Sequence, residues 1–360
     1  MSARSYLDWN ASAPLRPEAR AAMVAAMEIA GNASSIHAEG RAVRALIERA
    51  RAQVSAALGA DGADIVFTSG ATEAAALACA GRGLHCAGVE HDAVAAWCAV
   101  DLPVDAQGRV TVTDPAKGVL QLANSETGIV QDLPPGLVMS DATQAFGKLP
   151  FAFNWLGTDM ALVSAHKLGG PKGVGALALR RGLDVTAQIK GGGQEMGRRA
   201  GTENVIGIAG FGAAAEAAAR DLANGVWDRV AEVRNILEQA LEADCPGIIL
   251  LGKDQPRLPN TSCVIAPGWK GETQVMTMDL AGFAVSAGSA CSSGKVSASR
   301  VLQAMGLDTS DAGCALRVSI GPDTGREDVL RFAAVYARAW NRARERQKQA
   351  GSDLPRHKTG

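Results

Sequence analysis

The sequence predicts an α/β protein in which a mostly parallel sheet lies between helices and a smaller domain completes the chain. Three observations carry that expectation. Short apolar runs recur at 64–68, 84–89, 119–123, 137–140 and 160–163, a length suited to buried strands rather than helices. Each run ends in polar residues, and ligands of open α/β sheets sit just beyond the carboxyl ends of strands. At 360 residues the chain also exceeds what one core usually supports, so two domains are expected.

In chain order, residues 1–15 contain Tyr6-Leu-Asp-Trp-Asn10 and Pro14 and predict an extended entry. Pro17 opens a helix that Gly31 is expected to stop. Residues 31–40 form a polar loop holding His37, either a capping residue or a functional imidazole. Val43, Leu46, Ile47, Ala50, Val54 and Leu58 then fall at helical spacing as far as Gly59. The strand at 64–68 turns through Ser69-Gly-Ala-Thr-Glu73 into an alanine-rich helix. That turn aims free N–H groups of residues such as Ala71 and Thr72 at one point, which suits a phosphate, although an ordinary βα turn reads the same way. A strand at 175–180 continues the sheet, and 191–204 is a polar loop with three consecutive glycines. Helices at 206–223 and 226–243 meet at Asn224-Gly225, giving expected domains of 16–224 and of 1–15 with 225–360. Strands at 262–265, 284–285 and 316–320 precede an Ala/Arg-rich helix and a charged tail.

Composition narrows the function classes. A formal net charge of -1 removes the electrostatic case for nucleic acid or an anionic membrane as main partner. The first residues carry no apolar signal segment, and the seven cysteines form no CxxC pair, so reduced thiols in the cytoplasm and no metal site are expected. The most apolar helical run, 205–219, contains Glu216 and is too short to span a bilayer.

The strand ends hold the candidate chemistry. Lys167 follows 160–163 within Ser164-Ala-His-Lys167 and a Gly/Pro-rich turn. A desolvated lysine amine can lose its proton and form a Schiff base with an aldehyde cofactor, whereas a lone lysine after a strand is usually a solvated charge. Asp141, at the end of the preceding strand, could pair with a protonated pyridine nitrogen, or could cap a helix in Asp-x-x-Gln144. Together Asp141 and Lys167 point to pyridoxal phosphate. His91 could stack on a cofactor ring or move a proton, or serve structure alone. Cys291 lies in the polar loop Ser286-Ala-Gly-Ser-Ala-Cys-Ser-Ser-Gly294, a setting for a reactive thiolate rather than a core thiol. Arg317 could grip a substrate carboxylate bidentately or form a surface ion pair.

These motifs occur in the order found in a known family. Tyr6-Leu-Asp-Trp-Asn10, Gly31-Asn-Ala-Ser-Ser-Ile-His37, Phe67-Thr-Ser-Gly-Ala-Thr-Glu73, Glu90-His91, Asn124-Ser-Glu-Thr-Gly128, Asp141-Ala-Thr-Gln144, Ser164-Ala-His-Lys167, Arg199-Ala-Gly-Thr202 and Ser289-Ala-Cys-Ser292 resemble those of the cysteine desulfurases. These are pyridoxal-phosphate enzymes of fold-type I in the aminotransferase class V group. The resemblance implies a large domain with a mostly parallel seven-stranded sheet and a smaller α+β domain. It implies that Lys167 holds the cofactor, Asp141 pairs with its pyridine nitrogen, Gln144 bonds its ring hydroxyl and His91 stacks on the ring. It gives the phosphate to Ala71, Thr72, Ser164 and His166, with Thr202 reaching in from the other subunit of a homodimer. Asn124 and Arg317 would hold the carboxylate of L-cysteine, and Cys291 would take the sulfur for an acceptor protein serving iron–sulfur clusters or tRNA thiolation. The chain departs from the family at Ser125, where a second Asn is common, and at Ala74 and Ala75, where Asn residues are common. Neighbouring readings are a selenocysteine lyase, a class V aminotransferase that would not need Cys291, and a non-catalytic protein that binds sulfur acceptors.

Overall fold

The computed structural model describes residues 4–288 and 298–352. Its larger sheet is covered on both faces, and the pleat shows why. Successive side chains of a strand point to opposite faces. Ile65, Phe67, Ala161, Val163, Ala176 and Ala178 enter one apolar cluster, built with helices Ala38–Leu58 and Val205–Ala223. Their neighbours Val66, Met160, Leu162, Leu177 and Leu179 enter another, built with helix Ala71–Cys79. Burial on both sides is what makes these strands read as continuous apolar runs.

Leu137–Asp141 and Thr158–Ser164 are parallel, while Gly175–Leu179 runs antiparallel to Thr158–Ser164 and to Asp64–Thr68. Leu84–Ala87 and Cys98–Leu102 form a parallel pair. Parallel bridges His85–Gly118 and Val119–Met139 join this pair to the four-stranded sheet, which makes seven members with Gly175–Leu179 the antiparallel one. The run at 119–123, expected as a strong strand, is only an extended segment with isolated bridges. The Leu120 and Leu122 N–H groups donate to the Met139 and Asp141 carbonyls, and Val119 donates to His85. The Gln121 N–H, next on the His85 side, goes instead to a carboxyl oxygen of Glu90 at 2.6 Å. A side chain has taken the place of a ladder partner, so the ladder ends there.

A second, antiparallel sheet of Ile249–Leu251, Thr261–Ile265, Ala315–Ser319 and Ser286–Ala287 packs on helices Val226–Asp244 and Arg326–Ser352 through Trp227, Phe332, Tyr336 and Trp340. Asn224 closes one long helix, and Gly225, at φ 67°, opens the next. The helix at Pro17–Met27 stops before Gly31, because its last turn tightens as the Ile29 N–H returns to the Ala26 carbonyl. His37 is a cap: its Nδ1 accepts from the Gly40 N–H at 3.3 Å. No helix among the described residues is long and apolar enough to cross a membrane.

The N-terminal segment ties the two sheets together. Ser5–Tyr6 pairs with Phe283–Ala284, and Asp8 bridges Ser319 on the small sheet. A few residues on, the Ala13 and Arg16 N–H groups donate to the carbonyls of His166 and Gly169 beyond the large sheet. The cavity described next opens beneath this crossing.

Candidate active site

A cavity of about 440 Å³ lies at the carboxyl ends of the parallel strands, under the crossing segment. It brings together nine of the residues singled out from sequence: Ala71, Thr72, His91, Asp141, Gln144, Ser164, His166, Lys167 and Arg317.

Asp141 ends its strand, and its Oδ1 accepts the Thr143 N–H at 2.8 Å. A turn follows rather than a helix, so the capping-box reading of Asp-x-x-Gln does not describe it. One strand over, Ser164 leads into a single tight turn at Ala165–Lys167, closed by the Leu168 and Gly170 N–H groups on the Ala165 carbonyl. That turn lifts the Lys167 amine to the crossing segment, where Nζ donates to the carbonyls of Asn10 at 2.5 Å and Ala11 at 3.0 Å.

One end of the cavity is built for an anion. Helix Ala71–Cys79 begins at Gly70, which offers no side-chain cap, so the first-turn N–H groups of Ala71 and Thr72 meet the cavity along with the positive helix end. Gly175 packs against this turn so closely that a Cβ there would fall 2.8 Å from the Gly70 backbone. Ser164, His166 and Lys172 share the lining. Burial, reinforced by Lys167, Lys172 and Lys148, pushes the His166 imidazole down to about 4, so it is neutral near pH 7.

The opposite wall carries Arg317, from the small sheet. Its guanidinium is buried, pairs with Asp8 at 2.8 Å and donates to the Ser125 carbonyl at 3.2 Å. This is a buried pair, not the surface pair that the sequence left open. Arg317 Nε and Thr143 Oγ1 are buried without a hydrogen-bond partner among the described residues. Buried polar atoms at a cavity are met by a polar ligand or by water. His91 stands at the cavity mouth, its Nδ1 accepting the Ala93 N–H at 3.1 Å. Beneath it burial pushes the Glu90 carboxyl well above the usual carboxylate range.

Two expected residues among those described are not part of this lining. Asn124 is buried in its own turn: Oδ1 accepts the Glu126 and Thr127 N–H groups at 2.8 Å, and Nδ2 donates to the Val89 carbonyl at 3.0 Å. Its neighbour Ser125 lines the cavity instead. Thr202 is exposed on the loop at 191–204, which is a fixed turn rather than a loose connection, since buried Glu195 accepts from Arg51 and from the Phe67 N–H. Cys291 lies outside the described residues; the strand before it, Ser286–Ala287, pairs directly with Arg317.

Sequence reasoning missed Asn10 and Lys148. The Asn10 carbonyl accepts from Lys167 and from Gln144, and its side chain donates to the Ser125 carbonyl and Thr261 Oγ1. These partners lie more than a hundred residues away, beyond any local signal. Lys148 did leave a trace, a lone lysine in the apolar stretch Ala145-Phe-Gly-Lys-Leu149.

Comparison with known proteins agrees with this geometry. The family model for aminotransferase class V matches residues 5–332. A cysteine desulfurase of Cereibacter sphaeroides is 39% identical, with 92% of this chain and 94% of that protein covered. Cysteine desulfurase IscS of Dictyoglomus turgidum is 36% identical, covering 91% and 92%. Among solved structures, a NifS-like protein from Rickettsia africae superposes with a TM-score of 0.85 at 28% identity, covering 94% of this chain and 99% of that one. SspA in complex with cysteine superposes with a TM-score of 0.73 at 26% identity, covering 88% and 99%.

Proposed function

This chain belongs to the aminotransferase class V family, and on that footing we propose that it is a pyridoxal-phosphate-dependent cysteine desulfurase. It takes sulfur from L-cysteine, releases L-alanine and hands the sulfur to an acceptor protein that serves iron–sulfur cluster assembly or tRNA thiolation. The observation that carries the reading is the meeting of Lys167 and Asp141, from adjacent parallel strands, in one cavity of a chain that also holds Ser289-Ala-Cys-Ser292.

The residues present fit the cofactor. The uncapped turn at Ala71 and Thr72, with Ser164 and His166, would hold its phosphate. Lys167 would hold it covalently, Asp141 would face its pyridine nitrogen, Gln144 its ring hydroxyl and His91 its ring face. The unpartnered Thr143 Oγ1 supports a polar group at this place. When bound, pyridoxal phosphate supplies an electron sink for charge at the substrate α-carbon.

The chain's own residues do the rest. Arg317 holds the substrate carboxylate through its fork and is oriented for that by Asp8, while Asn124 shapes the turn that presents Ser125 beside it. The Lys167 amine takes the α-proton at Nζ. The Cys291 thiolate attacks the substrate sulfur; the carbon–sulfur bond breaks and its electron pair stays with carbon, the β-carbon takes a proton, the α-carbon takes back the proton held at Lys167 Nζ, and alanine leaves. A persulfide remains on Cys291 for the acceptor. We further propose a homodimer in which the exposed Thr202 completes the partner's phosphate site, two domains divided near Asn224-Gly225, and a cytoplasmic setting; the last rests on composition alone.

Cys291→Ala tests the assignment. The variant should bind pyridoxal phosphate and lose production of alanine and sulfide; undiminished turnover would overturn the role of Cys291.

A further inference from the structure

Among the described residues Lys148 is the only lysine in the buried set, 1% exposed, and it lies behind the cavity wall rather than in it. Its amine has two neutral partners, Gln144 Oε1 at 2.7 Å and Asn10 Oδ1 at 3.1 Å. An ammonium only donates, so both partners must present oxygen to it. Burial, with Lys167 and Arg317 nearby, pushes the amine well below its usual range, yet a neutral amine still has two N–H groups for two acceptors. The alternative orientation of Gln144 would set its oxygen against the Asn10 carbonyl, which now accepts Gln144 Nε2 at 3.0 Å. With Oε1 spent on Lys148 and one N–H spent on Asn10, Gln144 has a single N–H left for the cavity it lines.

We propose that Lys148 is a positioning residue that, together with the Asn10 carbonyl, holds the amide orientation of Gln144, so that the Gln144 wall of the cavity can only donate and the ligand atom seated there is an acceptor oxygen. Resting on the cofactor reading above, that atom is the ring oxygen of pyridoxal phosphate. Lys148 acts on it without contact, and through Asn10 it also anchors the carbonyl that receives Lys167 Nζ.

The test is a double-mutant cycle read by spectroscopy. Enzyme-bound pyridoxal phosphate changes its visible absorption with pH, and a donor on the ring oxygen lowers the midpoint of that change. Lys148→Met and Gln144→Ala should each raise the midpoint by about one pH unit, the worth of one hydrogen bond to a charged oxygen. The double variant should move no further, since one residue works through the other. Additive shifts overturn the proposal. Should Lys148→Met fail to fold, or the wild-type chain take up no cofactor, proton exchange of the Gln144 side-chain amide in the cofactor-free wild-type chain decides. One N–H protected by Asn10 and one open to solvent is the expected result; two protected N–H groups, or none, overturn it. Only the absence of cofactor uptake bears on the functional reading.

Discussion

Replacing Glu195 should loosen the strand that delivers the phosphate turn. Its carboxylate receives Arg51 through two hydrogen bonds, at 2.8 and 3.0 Å, and the Phe67 N–H at 2.8 Å. Both charged side chains are largely buried, 3% and 17% exposed, and breaking such a pair from one side costs about 3–5 kcal/mol. Arg51 keeps the Glu48 carboxylate, the Ile65 carbonyl and the Phe67 ring as partners, so the lower end of that range applies, about 3 kcal/mol. At about 2–4 °C per kcal/mol for a sizeable domain, Glu195→Ala should lower the unfolding midpoint by about 6 °C or more. Glu195 also sits at φ 49°, ψ 42°, where a side chain costs about 1 kcal/mol that glycine avoids. Glu195→Gly should therefore be the milder change, by about 1 kcal/mol. Calorimetry of the purified chain and both variants measures this directly. A midpoint that barely moves would show that the Glu195–Arg51 pair does not hold this strand, and a glycine variant worse than alanine would show that the positive φ carries no strain.

Three other outcomes follow from the geometry. Burial raises the Glu126 carboxyl from 4.5 to about 7, though it bonds Ser299. The folded chain thus keeps a proton that the unfolded chain releases; the cost is absent below about pH 4.5, grows to about pH 7 and reaches about 3 kcal/mol. Glu126→Gln should then melt higher than wild type above pH 7 and match it near pH 4. His166 shifts the other way: its imidazole, pushed down to about 4, makes the folded chain lose stability as pH falls from 6.5 toward 4, and its NMR signals should not titrate above pH 5. Arg317→Lys replaces a fork by a point charge and should raise KM for L-cysteine about tenfold with a smaller effect on kcat; equal effects on both would argue against a carboxylate role.

Much of the site was legible in the sequence because it stands on strand ends. Runs buried on both faces announce themselves as apolar blocks, and the polar residues that terminate them, Asp141 and Ser164 among them, fall together by the geometry of a parallel sheet. What escaped depends on long-range partners. The run at 119–123 has strand composition, but the Glu90 carboxyl takes the Gln121 N–H that a strand would need. Asn124 stands behind the lining because its Oδ1 caps its own turn and an Nδ2 N–H goes to the Val89 carbonyl. Asn10 gathers Lys167, Gln144 and Lys148 because the crossing segment passes over them, a fact of tertiary structure alone.

Anaerobic incubation of the chain, loaded with pyridoxal phosphate, with L-cysteine and a reductant, measuring alanine and sulfide together, shows whether the chain removes sulfur from cysteine. Equal amounts of the two are predicted, because each sulfur taken from cysteine leaves one alanine. Pyruvate in place of alanine would mean β-elimination without Cys291, and the chain would not be a desulfurase.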